Sequence, residues 1–392
     1  MKSFKNVGII GAGSMGIGIA QIASTSNCNV FIFDQNKSAC QQALKKLEKV
    51  LIRLIEKGKI STIKKDSILS NIKIVESLES MKDSDLIIEA IVENSAAKKE
   101  IFCQIESIVS NDCVLATNTS SISITSLASC LKNPIRFIGI HFFNPAPIMP
   151  LVEIIPALQT NSKLVKEIHQ LLLNWNKKPV VAKDTPGFIV NRIARPFYSE
   201  ALRIYEEQIA DFKTIDFAMK HIGGFRMGPF ELMDFIGNDV NYAVTESVFK
   251  AFYYDPRYKP SFTQKQYADA GWHGRKSSKG YYDYGDNIEL VLPSKDERLL
   301  VDIFERILVM LINEAMDALY LGIASEQDIE LAMTKGVNYP KGLIKWGKEK
   351  SFSWVVGKID TLYGLYHEDR YRCSPLLRKK SDSLGNSSYL KF

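Results

Sequence analysis

Lys5-Asn-Val-Gly-Ile-Ile-Gly-Ala-Gly-Ser-Met-Gly16 decides how this chain begins to fold. Asn6 to Ile10 is a short apolar run of the kind that makes a buried strand. Gly11, Gly13 and Gly16 follow with the spacing G-x-G-x-x-G, and Ile17-Gly-Ile-Ala-Gln-Ile-Ala23 continues with apolar residues at helical intervals. In a strand-turn-helix unit each glycine has a separate task. The first permits the tight turn, the second lets the backbone approach a pyrophosphate, and the third lets helix and strand pack closely. The phosphates then sit at the helix N-terminus. Asn29-Val-Phe-Ile-Phe-Asp34 reads as a second strand ending in an acid, at about the 20-residue separation this motif requires. A carboxylate there accepts hydrogen bonds from ribose hydroxyls and repels a 2′-phosphate, and no Arg follows it directly. The pattern predicts an NAD site rather than an NADP site. A glycine-rich turn without a ligand would leave Asp34 and the flanking strand and helix unexplained.

Working outward, strand-like runs at 6–10, 29–33, 72–75, 85–89, 113–116, 137–141, 150–155 and 179–182 alternate with helical patterns. The expectation is an α/β Rossmann-type N-terminal domain over 1–183. The segment 37–70 interrupts it as a charged helical stretch carrying Lys45, Lys46, Lys49, Arg53, Lys57, Lys59, Lys64 and Lys65. It reads as a solvated helix pair, with a few cations available to an anionic ligand. The whole chain has 50 Lys and Arg against 44 Asp and Glu, a net charge of +6 that does not call for nucleic acid. No apolar run approaches the roughly 20 residues that cross a membrane. The first strand starts too early to leave room for a leader segment, and the six cysteines are scattered without a C-x-x-C, so a reduced, cytoplasmic protein with no metal site is expected.

The residue on which function turns is His141, in Gly139-Ile-His-Phe-Phe-Asn-Pro-Ala-Pro147. An apolar strand leads into it, and Pro145 and Pro147 break regular structure after it. Twelve residues on, Glu153 stands inside the apolar run Leu151-Val-Glu-Ile-Ile155, where a carboxylate is expected to be buried and to need a partner. A His–Glu pair beside a dinucleotide site supplies the proton acceptor that hydride transfer requires. The duller readings are a core histidine capping a strand, and a structural pair between Glu153 and Arg136.

From Asp184 the pattern turns helical. Thr185-Pro-Gly-Phe-Ile-Val-Asn-Arg192 is expected to open the first helix, with Pro186 early in it. A helical domain over 184–290 closes with the Gly- and Tyr-rich loop 271–284. Residues 296–348 then repeat it at an ungapped offset of 114, pairing Arg192-Ile193 with Arg306-Ile307 and Glu200-Ala201 with Glu314-Ala315. The same offset pairs Ile215 with Ile329, Ala218-Met219 with Ala332-Met333, and Gly228 with Gly342. Asn191 becomes Glu305, so the second copy, over 291–378, is expected to be structural and without an active site. Residues 379–392 read as a flexible polar tail.

Together these residues resemble the L-3-hydroxyacyl-CoA dehydrogenase family, from the first strand to about Arg378. The specific stretches are His141-Phe-Phe-Asn-Pro-Ala-Pro147 with Leu151-Val-Glu153, Asp184-Thr-Pro-Gly-Phe-Ile-Val-Asn-Arg192, Gly228-Pro-Phe-Glu-Leu-Met-Asp234 and Gly274-Arg-Lys276. The tandem helical part resembles the longer bacterial members, of 3-hydroxybutyryl-CoA and 3-hydroxyadipyl-CoA type. The resemblance implies NAD as cofactor, an acyl-CoA as substrate, and oxidation of a 3-hydroxyl to a ketone. It implies His141 as general base, Glu153 as its orienting acid, Asn191 at the reacting carbonyl, and Ser120 between cofactor and substrate. It further implies Glu93, Lys98, Asn144 and Lys276 as NAD contacts and Lys57 as a coenzyme A contact. Asn191 has a helix cap, and Ser120 a plain loop, as its duller alternative. Val50, Pro150 and Ser278 depart from the family pattern. The first two bear on acyl-CoA recognition, the third on the loop presenting Lys276. The reaction site is expected in a cleft between the domains. The chain is expected to be either a monomer whose second helical copy stands in for a partner subunit, or a homodimer, which a sedimentation mass distinguishes. A free-acid β-hydroxyacid dehydrogenase and a nucleotide-binding protein without turnover are the rival readings.

Overall fold

A computed structural model describes residues 4–285 and 292–382. The chain divides into two compact units, Met1–Thr185 and Pro186–Phe392.

The first unit runs β1 (Asn6–Ile10), α1 (Ser14–Thr25), β2 (Asn29–Phe33), α2 (Lys37–Glu56), α3 (Thr62–Ser70), β3 (Ile72–Ile74), β4 (Leu86–Glu89), α4 (Ser95–Glu106), β5 (Val114–Thr117), α5 (Ile124–Ala128), β6 (Phe137–Phe142), β7 (Leu151–Pro156), α6 (Ser162–Asn174) and β8 (Lys178–Val181). The strand bounds expected from the sequence hold to within one residue. One eight-stranded sheet results, in the order β3-β2-β1-β4-β5-β6-β7-β8. It is parallel except at β6–β7, so β7 and β8 run against the rest. Parallel strands covered by helices on both faces must be apolar on both faces. Leu86, Ile87 and Ile88 of β4 are accordingly all fully buried. The strand order reverses direction between β1 and β4, the place where such sheets bind ligands beyond their carboxyl ends. The charged stretch is indeed a helix pair. In α2 the apolar residues Cys40, Ala43, Leu47 and Leu51 make one buried stripe, and its lysines lie outside.

The second unit is helical: α7 (Val190–Ile193), α8 (Arg195–Glu206), α9 (Phe212–His221), α10 (Pro229–Ile236), α11 (Asn238–Ala251), α12 (Phe262–Asp269), α13 (Glu297–Tyr320), α14 (Glu326–Gly336), α15 (Leu343–Lys350), α16 (Phe352–Tyr366) and α17 (Pro375–Asp382). Two expectations need correction. The first helix starts at Val190, not near Pro186, because Gly187 (φ 74°) and Phe188 (φ 48°) turn the chain left-handed just before it. A Cβ at Gly187 would stand 2.8 Å from the Arg192 nitrogen, so glycine is required there. The polar segment from Lys379 is also not wholly a tail, since α17 carries it to Asp382; residues 383–392 lie outside the described residues.

The repeat extends beyond the expected 348. Helices α9, α10 and α11 begin at 212, 229 and 238, and α14, α15 and α16 begin 114 residues later at 326, 343 and 352. Helix α12 begins at 262 and α17 113 residues later at 375, so one residue has been lost between copies. The copies pair reciprocally. Arg192 of the first donates to Glu314 of the second at 2.7 Å, and Arg306 of the second to Glu200 of the first at 3.1 Å. Tyr258 donates to Glu314 at 2.5 Å and Tyr371 to Glu200 at 3.0 Å. Each donor and acceptor is the counterpart of the other set, which is the signature of a two-fold relation.

Candidate active site

The glycine turn is built as the sequence implies. Gly11 has φ 106°, and a Cβ on it would lie 2.5 Å from the Ala90 carbonyl oxygen. A Cβ on Gly16 would lie 1.9 Å from the Gly11 oxygen, so helix and turn can touch only through glycine. A Cβ on Gly13 would meet nothing within 4 Å; that side of the turn is open. The other five α-helices of this unit each have a side chain accepting from a backbone N–H of the first turn, but α1 begins at Gly13 without one. Its first amides therefore point at open space, which suits a pyrophosphate. Asp34 accepts from the Ala12 amide at 2.8 Å through one oxygen and from the Asn36 amide at 2.9 Å through the other. It is thus fixed at the mouth of the turn, with lone pairs left for ribose hydroxyls. These residues fit an NAD.

At the same end of the sheet, β6 delivers His141 and the antiparallel β7 returns Glu153 directly opposite it. His141 Nδ1 and Glu153 Oε2 are 2.7 Å apart and both residues are buried, at 6 % and 1 % exposure. The His141 ring lies 4.5 Å from that of Phe143. Arg136 is engaged elsewhere, with Glu106 at 3.6 Å and the carbonyl oxygens of Ser110 and Cys113. Two residues absent from the sequence reading hold this hairpin. Asn118 Oδ1 accepts from the Phe142 amide at 2.8 Å, locking the end of β6 to the loop after β5. Lys177, 5 % exposed, donates from Nζ to the carbonyls of Ala146 and Met149 at 2.6 and 2.9 Å, clamping the turn between His141 and Glu153. That turn contains the exposed Asn144, whose bond to Pro145 is cis.

Lys177 gives a pH signature. Burial pulls its ammonium down from 10.5 to about 8. Between those values the unfolded chain still holds the proton and the folded protein has released it. Stability from this residue therefore rises with pH across the window. Lys177→Met is expected to fall further behind the natural protein at pH 10 than at pH 7, by on the order of 1–3 kcal/mol. Urea unfolding at the two pH values measures the gap; a constant gap would count against the assignment.

Beyond β4 and β5 a carboxylate network sets the Ser120 loop. Lys98, 1 % exposed, meets Glu89 at 2.5 Å and Glu93 at 3.3 Å. Glu89 also accepts from Thr117 Oγ1 at 2.7 Å and the Ile91 amide at 2.7 Å. Glu93 accepts from Thr119 Oγ1, the Ser120 amide and Ser121 Oγ at 2.6, 3.0 and 2.9 Å. Burial opposes its charge, but Lys98 and these donors prevail and hold its pKa below the ordinary value. Glu93, Lys98 and Ser120 are thus brought together, with Glu89 as the buried acid that sequence reasoning passed over. The signal was available, since Glu89 ends the apolar run of β4 as Glu153 interrupts that of β7.

The remaining candidates are spread more widely. Lys57 ends α2 at the surface. In the helical unit Asn191 is the second residue of α7 and not its cap. Lys276 lies in a short 3₁₀ turn, 2.6 Å from Asp239, and Ser278 follows at φ 58°, a conformation that favours glycine. Gly280 leaves room for Asp234, which accepts from the amides of Tyr281 and Tyr282 at 3.0 and 2.9 Å and ties this loop to α10. Among the described residues no His, Cys, Asp and Glu cluster could hold a metal, and no helix is long and apolar enough to cross a membrane.

Comparison with known proteins shows the family of the chain. Residues 6–185 match the family "3-hydroxyacyl-CoA dehydrogenase, NAD binding domain", and residues 187–284 and 303–388 match "3-hydroxyacyl-CoA dehydrogenase, C-terminal domain". The chain is 35 % identical to the 3-hydroxyadipyl-CoA dehydrogenase of Escherichia coli K12, over 97 % of this chain and 98 % of that protein. It is 40 % identical to a probable 3-hydroxybutyryl-CoA dehydrogenase of Bacillus subtilis, over 71 % of this chain and 97 % of that one. A crystal structure described as 3-hydroxybutyryl-CoA dehydrogenase from E. coli K12 superposes with a TM-score of 0.92 at 34 % identity, covering 97 % of this chain and 98 % of that one.

Proposed function

Because the chain belongs to the 3-hydroxyacyl-CoA dehydrogenase family and carries its NAD-binding domain, we propose that His141 and Glu153 are the proton-transfer pair for oxidation of an L-3-hydroxyacyl-CoA to the 3-oxoacyl-CoA. The observation that carries this is the 2.7 Å contact between His141 Nδ1 and Glu153 Oε2. NAD, when bound, accepts the hydride from C3. The protein has to take the proton from the 3-hydroxyl. With Nδ1 held by Glu153, His141 takes it at Nε2, and Glu153 keeps the ring in that tautomer and stabilises the imidazolium that forms. Ser120, oriented by Glu93, offers its hydroxyl to the 3-oxygen. Asn191 donates its amide to the oxygen whose charge changes during transfer. Gly11, Gly13 and Gly16 receive the pyrophosphate and Asp34 the ribose. Glu93, Lys98, Asn144 and Lys276 keep the cofactor contacts implied by the family, and Lys57 meets coenzyme A. The reciprocal pairing of the helical copies supports reading them as each other's partner within one chain.

The test is NADH oxidation by the purified protein with acetoacetyl-CoA, repeated with NADPH and with longer and dicarboxylic 3-oxoacyl-CoAs. NADH is expected to support turnover and NADPH to be at least tenfold poorer, because Asp34 repels the 2′-phosphate. NADH binding with no turnover on any thioester would overturn the assignment. Turnover of free 3-hydroxy acids without CoA would move it to the β-hydroxyacid type.

A further inference from the structure

The loop from β5 to α5 carries Ser120 and is held at both ends by carboxylates. Glu93 takes the first part, through Thr119, Ser120 and Ser121. Ile122 then donates its amide to Thr119 Oγ1 at 3.0 Å. The far end is taken by a residue with no part in the reaction as described. Asp184 Oδ2 accepts from Ser123 Oγ at 2.8 Å and from the Thr125 amide at 2.7 Å, and its Oδ1 accepts from the Ile124 amide at 3.0 Å. The loop is thus strung between Glu93 and Asp184. Ser120 Oγ itself has only a long 3.4 Å contact, to Glu93 Oε1, so its position follows from the backbone that carries it.

Helix capping alone does not account for Asp184. Helix α5 already has a local cap, because Ser123 Oγ accepts from the Ser126 amide at 3.1 Å. Helices α2, α3, α4 and α6 are served by a cap of that kind from Asn36, Ser61, Asn94 and Asn161. Among the described residues none of those four receives a carboxylate from a distant segment on its first amides, whereas α5 receives one from about 60 residues away. At five residues α5 is the shortest α-helix of its unit, too short to hold a position by its own propensity. What Asp184 fixes is therefore where α5 begins, and with it where the Ser120 loop ends. Asp184 is itself anchored to the sheet. The Ala182 amide donates to the Ile154 carbonyl at 2.9 Å, and β8 pairs with β7, the strand that carries Glu153. The Ser120 loop is thereby referred to the same strand as the acid that holds His141.

We propose that Asp184 is a positioning residue for the reaction: by holding Ser123, Ile124 and Thr125 to the β7–β8 edge, it sets the place of the Ser120 hydroxyl relative to the His141–Glu153 pair. This rests on the role given above to Ser120 at the 3-oxygen. The carboxylate is needed as such. Three donors converge on it, two of them on Oδ2, while an asparagine has one acceptor oxygen and would turn N–H groups toward N–H groups. A reacting group displaced by about 1 Å can lose as much as 10²-fold in rate while binding is kept.

The experiment is a double-mutant cycle on kcat for acetoacetyl-CoA reduction, with KM for NADH read alongside. Asp184→Asn is expected to lower kcat by about tenfold and to leave KM for NADH within about twofold, since the glycine turn and Asp34 are untouched. Ser120→Ala is expected to lower kcat by about 10²-fold. In the Ser120→Ala background Asp184→Asn should cost less than about twofold more, because the group it positions is already gone. A tenfold loss that persists in that background, or an unchanged kcat in Asp184→Asn alone, overturns the proposal. Should Asp184→Asn fail to fold by circular dichroism, Ser123→Ala removes one of the three donors, keeps the carboxylate and takes its place in the same cycle. Failure of the underlying reading looks different: Ser120→Ala alone then keeps the natural kcat, or the natural protein oxidises no NADH, and either result removes this proposal with it.

Discussion

A His141→Ala protein is expected to bind NADH as the natural one does and to turn over about 10³–10⁴-fold more slowly. The split between binding and rate is the informative part. The side chain lost is a buried ring at the end of β6, and the strand beneath it keeps its own supports. Asn118 still accepts from the Phe142 amide and Lys177 still clamps the following turn. The glycine turn and Asp34 are untouched, because they belong to the ends of β1 and β2. What disappears is the group proposed to accept the hydroxyl proton. Glu153 cannot replace it, since a strand carboxylate facing the ring is placed to hold the imidazole and not the substrate. NADH titration by fluorescence and single-turnover absorbance measure the two quantities separately. A variant within tenfold of the natural rate would show that the proton leaves by another route.

The largest expected effect on stability lies in the helical unit, at Glu314. This carboxylate is fully buried and accepts from Arg192 Nε, Arg257 Nη1 and Tyr258 Oη. Burial works against its charge, but Arg192 and Arg257 outweigh it and keep its pKa below the ordinary value. Glu314→Ala leaves two guanidiniums inside the unit with only Asp317 between them, at 3.1 Å from Arg192 and 3.2 Å from Arg257. Breaking a buried pair by removing one partner costs about 3–5 kcal/mol. For a unit of this size that lowers the melting temperature by roughly 6–20 °C. The exposed pair Lys265–Asp269 makes the contrast, and Asp269→Ala should change stability by about 0–1 kcal/mol. Because the Glu314 pKa is depressed on folding, its contribution is present above the unfolded value near 4.5 and is lost as pH falls below it. Calorimetry of the Glu314→Gln protein should therefore converge on the natural one in acid. Equal melting temperatures at neutral pH would mean the network is not coupled to the fold.

Much of this was legible in the sequence because it is local. Strands such as Leu86–Glu89 are short apolar runs bounded by turn residues, and the 12-residue interval from His141 to Glu153 spans one hairpin. What was not legible depends on contacts far apart in sequence. Lys177 is an ordinary lysine in Asn176-Lys-Lys-Pro until folding brings it under Ala146, 31 residues away. Asn118 shows its purpose only across the 24 residues to Phe142. The helix expected from Pro186 fails because the left-handed pair Gly187 and Phe188 intervenes, and Phe188 carries no sequence signal for that conformation. The repeat was visible to 348 and no further for a chemical reason. Beyond that point the second copy trades Asn241 and Thr245 for Val355 and Ile359, and the lost residue shifts the offset to 113 before identity returns at Arg257-Tyr258 and Arg370-Tyr371.

The reciprocal pairing of Arg192 with Glu314 and of Arg306 with Glu200 has an evolutionary consequence. In an assembly of two identical chains a mutation strikes both sides of the axis at once, so neither side can change alone. Here the two sides are written at different places in one gene. The second can drift to hydrocarbon where the first is polar, as Val309 opposite Arg195 and Leu377 opposite Gln264 show. Tethering also makes the association independent of dilution, since the partner is always present at the concentration its linker sets. Duplication has thereby released each half from the obligation to be its own mirror.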